Sequence, residues 1–287
     1  RKLRWQSGVT YDMWRNDITR DNASQPSGAF DVYSANYYVI NSDYRVYICL
    51  FNNANPENNN QGGPSLDEPT FTDLEPRAAG SSGDGYIWKY LYTIKPNQII
   101  KFDSIDFMPV PNSWGTGESI DIKNNAVDGK IETAVILNAG DGYQPIGTTF
   151  NNIPILGDGT GGKCSVTVNS QGKVSDVTVT NGGTGYTRGT VQFYPGAPGT
   201  EIGGPIAGLS AVGIAGTSVA NIEVVIPPPG GHGFDVYKEL GAFRVLMYAR
   251  FENDSSNPDF IVGNDFARVG LVKNPKTLSG AALTKSS

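Results

Sequence analysis

Gly83-Asp84-Gly85-Tyr86-Ile87-Trp88-Lys89-Tyr90-Leu91-Tyr92-Thr93-Ile94 decides the fold class of this chain. The Gly-Asp-Gly opening is a turn signal. Every later residue except Lys89 is aromatic, β-branched or leucine, the composition of a strand with both faces partly covered. Successive side chains of a strand point oppositely, so Tyr86, Trp88, Tyr90, Tyr92 and Ile94 are expected on one face and Ile87, Lys89, Leu91 and Thr93 on the other. Rings of this kind bury roughly 150–250 Å² each, which makes this the heaviest expected contribution to a core. Left exposed, the same rings would stack on a sugar or a protein partner.

The composition around this strand agrees with it. Among 287 residues there are 36 Gly and 18 Pro and only 17% charged residues, which predicts an all-β, turn-rich fold. A net charge of −6 with no basic run argues against nucleic acid as a partner. No apolar run approaches the roughly 18 residues of a spanning helix and no signal peptide opens the chain, so no membrane insertion is expected. The chain starts at Arg1 without a Met and reads as an internal fragment of a longer product. Cys49 and Cys164 are too few for a disulfide scaffold and too far apart for a metal site. They are expected as buried free thiols of a protein made in the cytoplasm.

Working outward, residues 1–22 carry Trp5, Tyr11, Met13 and Trp14, expected to pack onto the first domain as a short strand or helical turn. Residues 22–28 read as a turn. Tyr37 to Ile40 and Tyr44 to Phe51 read as a hairpin around Asn41 to Asp43. Residues 52–83 form a long Asn-rich segment without periodicity, a loop of the kind that is functional or ordered by a partner. Residues 99–110 supply further β-prone sequence and end at Pro109-Val110-Pro111, with Trp114 beyond.

From about Ser119 the chain repeats itself. Gly129-Lys130-Ile131 through Gly140-Asp141-Gly142-Tyr143 matches Gly172-Lys173-Val174 through Gly183-Thr184-Gly185-Tyr186 at a constant offset of 43 residues. Ile131, Thr133, Val135 and Leu137 are expected on one face of the first strand. In the second, Val174, Asp176, Thr178 and Thr180 should oppose Val177 and Val179. Gly-rich turns follow at residues 157–162 and 196–204. A unit of this size buries its face only against its neighbour, which predicts a small inserted β-repeat module. Val219 to Ile226 reads as a strand stopped by Pro227-Pro228-Pro229. Residues 241–252 read as a strand rejoining the core, 254–258 as a turn, 260–272 as a last β segment and 274–287 as a tail mobile at its end. The expected organisation is a β-sandwich core domain begun by residues 1–118, a Gly-rich module over 119–218, and a return to the core over 219–287.

The search for chemistry predicts no catalytic, cofactor-binding or metal-binding residue. His232 is the sole histidine, lies between glycines, and has no nucleophile-elbow motif to serve, so a structural role in a turn is expected. Asp141 and Asp158 sit in Gly-rich turns that look like pieces of Ca²⁺ loops but lack the alternating carboxylates and closing Glu. Asp67, Glu68, Asp73 and Glu75 offer carboxylates in the long loop without fixing a pair at catalytic spacing.

Asp12-Met13-Trp14, then Val46-Tyr47-Ile48-Cys49-Leu50-Phe51-Asn52-Asn53, then the Gly83 to Ile94 stretch and Phe107-Met108-Pro109-Val110-Pro111, in this order and spacing, resemble a baseplate wedge subunit of T-even-like contractile-tailed bacteriophages. The resemblance runs from about Asp12 to Trp114. It implies a β-sandwich structural protein of the virion tail, assembled in the host cytoplasm, homodimeric within each wedge and in contact with other baseplate wedge proteins. It implies no enzyme activity and no cofactor. The opening residues of the family are missing ahead of Arg1, and the paired Gly-x-Gly-Tyr repeats depart from its pattern as an insertion.

The expected function is therefore assembly: holding neighbouring wedge components in register and relaying the rearrangement that triggers sheath contraction. The loop over residues 52–82 and the edges of the repeat module are the expected contacts. The alternative is a carbohydrate-binding adhesin or tail-fibre module, which would present exposed ring faces at Tyr143 and Tyr186.

Overall fold

The computed structural model describes residues 1–17, 34–193, 210–211, 219–242, 244–250, 267–270, 276 and 278–281. Strands dominate these residues, the sheets are antiparallel, and the helices are short, so the class is all-β. The chain opens with β1 (Tyr38–Ile40), β2 (Arg45–Asn52) and β3 (Tyr86–Thr93), followed by helices α1 (Pro96–Phe102) and α2 (Ile120–Asn125). Next come β4 (Thr133–Asn138), β5 (Tyr143–Gln144), β6 (Thr148–Pro154), β7 (Leu156–Gly157), β8 (Lys163–Val168), β9 (Val174–Asn181) and β10 (Gly189–Val191). β11 (Ser210–Ala211), β12 (Asn221–Val225), α3 (Val236–Glu239), β13 (Met247–Arg250) and β14 (Ala267–Gly270) complete the order. The sequence-predicted turns at 22–28, 196–204 and 254–258, and most of 260–272 and of the tail, lie outside the described residues.

Two compact units divide the chain: Leu3–Thr93 with Asn112–Gly241, and Arg1–Lys2 with Ile94–Pro111 and Ala242–Ser287. Residues 119–218 fall inside the first.

In the larger unit, β1, β2 and β3 form one antiparallel sheet, with the expected hairpin between its first two strands. Asn41 makes that turn, its Oδ1 accepting from the amides of Asp43 and Arg45. The register of β2 on β3 shifts twice. Val46 faces Tyr92 but Tyr47 faces Tyr90, which leaves Leu91 as a bulge. A bulge reverses the facing of everything beyond it. Tyr86, Trp88 and Tyr90 therefore share a face with Tyr47 and Cys49, while Tyr92 turns to the face of Lys89 and Ile48, against the even alternation expected from sequence. Ile94 lies beyond the strand end. Both faces are covered, as expected: Trp88 is 0% exposed, and Lys89 on the other face is 1% exposed.

The N-terminal segment packs its aromatics as expected, in extended form. Tyr11 meets Tyr86 and Trp88 edge-on at 6.5 and 5.7 Å, and Met13 is buried beside them.

β4 lies between two clusters of buried side chains. Val135 joins the Tyr11, Tyr86 and Trp88 cluster, while Ala134 and Ile136 join a second one built from β6, β8, β10 and β12. Ile131 belongs to this second cluster, so the expectation that it shares a face with Val135 fails: the strand starts only at Thr133, and the preceding chain is not bound to its alternation. β6, β8 and β9 make a separate antiparallel sheet. A register shift between Thr167 and Val168 makes Ser175 the bulged residue of the ladder with β8 and puts Val174 with Val177 and Val179 toward the second cluster, rather than opposite them.

The repeated stretches bond to each other in exchange. Tyr143 N donates to Gly172 O at 3.0 Å and Tyr186 N to Gly129 O at 3.3 Å. Ile131 N donates to Gly182 O and Val174 N to Ala139 O, both at 3.0 Å. Each of these pairs maps onto the other under the 43-residue offset read from the sequence.

The smaller unit corrects two expectations. Residues 96–102 are helical rather than β, because Pro96 presets the first helical turn and lacks an amide that would go unbonded there. Of the strand expected over residues 241–252, the described residues ahead of Met247 are not in a strand; β13 begins there, pairing Met247 with Gly270, and residues 243, 251 and 252 lie outside the described residues. Val245 is exposed rather than buried in a core strand. Within this unit Lys2 Nζ bonds both oxygens of Asp103, and Arg244 lies over the Phe107 ring at 4.8 Å.

Candidate interaction surface

The long loop after β2 is tied down by its own chain rather than left for a partner to order. Asn52 Nδ2 donates to Tyr11 O at 2.8 Å, and Gly63 N returns to Asn52 O at 3.0 Å. Asn55 caps a short 3-10 turn over Pro56–Asn58, accepting from the amides of Glu57 and Asn58, while Asn58 Oδ1 accepts from Asn55 N. Further along, Ser65 N bonds Val9 O, Tyr47 OH donates to Phe71 O at 2.6 Å, and Arg77 and Trp88 exchange both backbone bonds at 3.0 Å. The loop is thus pinned to the aromatic sheet at several points, and it turns Asn53, Glu57, Asn59, Gln61, Leu66 and Thr70 outward. A polar surface held this firmly is suited to recognition without ordering on contact.

Its carboxylates do not converge. Asp67 accepts from Ser82 N, Glu68 from Ser42 N, Asp73 pairs with Arg77, and Glu75 pairs with Lys130 at 2.6 Å. Bonding from the Ser82 side chain and backbone holds the Asp67 carboxyl below its ordinary range. Burial works to raise Glu75, but Lys130 and Asn125 outweigh it and the carboxyl ends low. Each group is committed to a different donor, which leaves no acid and base facing one another across a substrate gap.

His232 is buried, with Nδ1 2.9 Å from Glu239 Oε2 and Trp14 edge-on at 4.7 Å. Glu239 Oε1 accepts from Gly233 N at 2.6 Å, and its carbonyl accepts from Tyr37 OH. The pair joins the proline-rich loop, α3, the N-terminal segment and the start of the β1 hairpin. The two thiols are buried and unpaired with each other. Burial pushes Cys49 well above its ordinary value and Cys164 up to about 12.

Asp158 lies on the surface, where its carboxylate accepts from the Thr187 hydroxyl and from the amides of Thr187 and Arg188, fastening that turn. Those bonds, the Thr187 hydroxyl first, hold its carboxyl well below the usual range. Among the described residues no group of three or more His, Cys, Asp or Glu could hold a metal ion. No helix of the described residues is long and apolar enough to cross a membrane.

Tyr143 and Tyr186 are 1% and 2% exposed, so the outward ring faces that the adhesin alternative would present at these positions are not there. Tyr143 OH donates to Phe193 O at 3.0 Å and accepts from Ala220 N at 2.8 Å. Tyr186 OH donates to Ile155 O at 2.9 Å and accepts from Gly162 N at 3.1 Å. Each hydroxyl satisfies two buried backbone groups, which draws the ring inward.

Two features escaped the sequence reading. Ile100 and Ile105 of the smaller unit are 83% and 93% exposed. A helix at residues 96–102 would have signalled the first, had the Pro96 start been read. The second is a polar cluster under β3, where Lys89 Nζ lies 3.3 Å from Glu132 Oε1 and 3.1 Å from Leu74 O, and Asn125 Nδ2 reaches the same carbonyl at 3.4 Å. Only the lone lysine in an aromatic strand hinted at it.

Compared with family models, with curated proteins and with solved structures, the chain matches none.

Proposed function

We propose that this chain is a structural part of a contractile phage tail, a baseplate wedge subunit that holds neighbouring baseplate proteins in register and relays the rearrangement leading to sheath contraction. Its core is a β-sandwich domain carrying the Gly-rich repeat as an inserted module. It acts as a homodimer that contacts other wedge proteins, and it performs no catalysis.

The observation that carries the reading is that three of the motifs behind the family resemblance form one body. Trp14 N donates to Cys49 O at 2.8 Å, and Cys49 lies opposite Trp88 on β3. Those motifs also hold the long loop in place, so a firm scaffold supports an exposed recognition surface. The carboxylates, the histidine and the thiols are each committed to internal bonds or burial, which suits a part that works by its surfaces. The adhesin alternative loses its ring platforms, since Tyr143 and Tyr186 are interior.

Quantitative mass spectrometry of purified particles, separated into heads and tails, tests the proposal. A fixed stoichiometry in the tail fraction, at a small multiple of the baseplate's sixfold symmetry, is the expected result. Absence from tails, or a copy number following fibres alone, would overturn it.

A further inference from the structure

Lys89 sits in the middle of β3 with its side chain almost wholly buried, and its stem is closed in by the proline-rich loop: a Cβ added at Gly233 would lie 3.8 Å from Lys89 Cε. Its nitrogen is 3.3 Å from Glu132 Oε1, whose partner oxygen Oε2 is buried without a hydrogen-bond partner. The Asn125 amide, at the end of α2, and the Lys89 nitrogen both bond the Leu74 carbonyl, at 3.4 and 3.1 Å, and the same amide also donates to Glu75 Oε1 at 3.2 Å. A sheltered amine, a side-chain carboxamide and a buried carboxylate with a spare oxygen are the three groups that amide exchange between side chains requires.

We propose that Lys89 and Asn125 join through an intramolecular isopeptide bond whose formation Glu132 promotes. Glu132 takes a proton from the Lys89 ammonium, and the freed lone pair attacks Asn125 Cγ. The resulting tetrahedral carbon expels its original nitrogen, which receives the proton held by Glu132 together with the second proton lost from Nζ. One C–N bond forms, one breaks, and ammonium leaves, with no oxidant or other co-reactant. The new amide N–H gives the unpartnered oxygen of Glu132 a donor, as a buried carboxylate oxygen requires. Lys130 is instead paired with the exposed carboxylate of Glu75 at 2.6 Å. The bond would clamp β3 to the end of α2. It does not depend on the assembly reading above.

The test is the intact mass of the purified full chain under denaturing conditions, followed by a tryptic map. Loss of ammonia lowers the mass by about 17 Da, and the map shows a branched peptide joining Lys89 to Asn125 with no cleavage after Lys89. Glu132→Gln and Asn125→Ala are expected at their full sequence masses. A wild-type chain at full sequence mass overturns the proposal, and that measurement stands even if a variant fails to fold. So does a deficit that persists in Asn125→Ala, which would put the ammonia loss elsewhere, for example at Asn181-Gly182. A branch at Lys130 instead of Lys89 also overturns it.

Discussion

Gly129→Ala should destabilise the chain much more than Gly172→Ala, although the two glycines hold corresponding places in the repeat. Both have positive φ, 66° and 73°, so alanine meets a left-handed backbone in each case, at about 1–2 kcal/mol. Their surroundings differ. A Cβ at Gly172 would come within 3.1 Å of Tyr143 O and 3.4 Å of Tyr143 N, tight contacts that a few tenths of an ångström relieve. At Gly129 the same atom would lie 2.2 Å from Tyr186 N and 2.6 Å from Gly185 C, against backbone that must move. Moving it breaks the bond from Tyr186 N to Gly129 O and strands a buried amide, which adds about 1–3 kcal/mol. The total is about 2–5 kcal/mol for Gly129→Ala against about 1–2 for Gly172→Ala. Urea titration followed by tryptophan fluorescence measures both through their midpoints. Equal midpoint shifts, or a larger shift for Gly172→Ala, would refute the argument that backbone proximity separates the two positions.

Four further outcomes follow from the packing. Trp88→Ala should cost about 3–5 kcal/mol, as truncation of a fully buried ring does, and an unmoved urea midpoint would contradict its burial. Tyr143→Phe and Tyr186→Phe each strip a donor and an acceptor from buried backbone groups and should cost about 1–3 kcal/mol; shifts below about 0.5 kcal/mol would mean that those hydroxyls are dispensable. The native Asp158 carboxyl is depressed, so the unfolded chain takes up the proton first: its contribution is complete above the ordinary carboxylate pKa of about 4 and fades as pH falls through the lower native value. The midpoint gap between wild type and Asp158→Asn should accordingly close in acid, and a gap that widens there would reverse the assignment. Cys49 and Cys164 should react with a thiol reagent only on unfolding, because their thiolates are suppressed by burial; equal rates for native and unfolded chain would count against that.

The sequence disclosed what depends on local chemistry. Turn residues at Asn41 to Asp43 and the run of rings after Gly85 predict strands that do form and pair. The bulges were not legible, because nothing in Tyr90-Leu91-Tyr92 or Val174-Ser175-Asp176 marks the residue left unpaired; a neighbouring strand's register decides it. The same limit misplaced Ile131, since alternation was extended two residues ahead of the true strand start. Tyr143 and Tyr186 looked available for stacking because a Gly-rich turn is usually superficial, and only the distant carbonyls of Phe193 and Ile155 explain why the rings go in. Lys89 and Glu132 lie far apart in sequence, and the contact that makes them a pair is purely tertiary. Of the loop over residues 52–83, sequence predicted the absence of regular structure but not the cross-chain bonds that hold it still.

β4 has a consequence for anyone wishing to shorten this protein. Residues 119–218 look like a cassette that could be cut out, with the flanking chain rejoined. Excision would remove Val135, a fully buried member of the cluster around Trp88, and with it the strand to which β12 is paired along its whole length. The chain left behind would open a wall of its aromatic core to water. A cut from β5 onward would instead strip the second cluster away from Ala134 and Ile136 on the other face of β4.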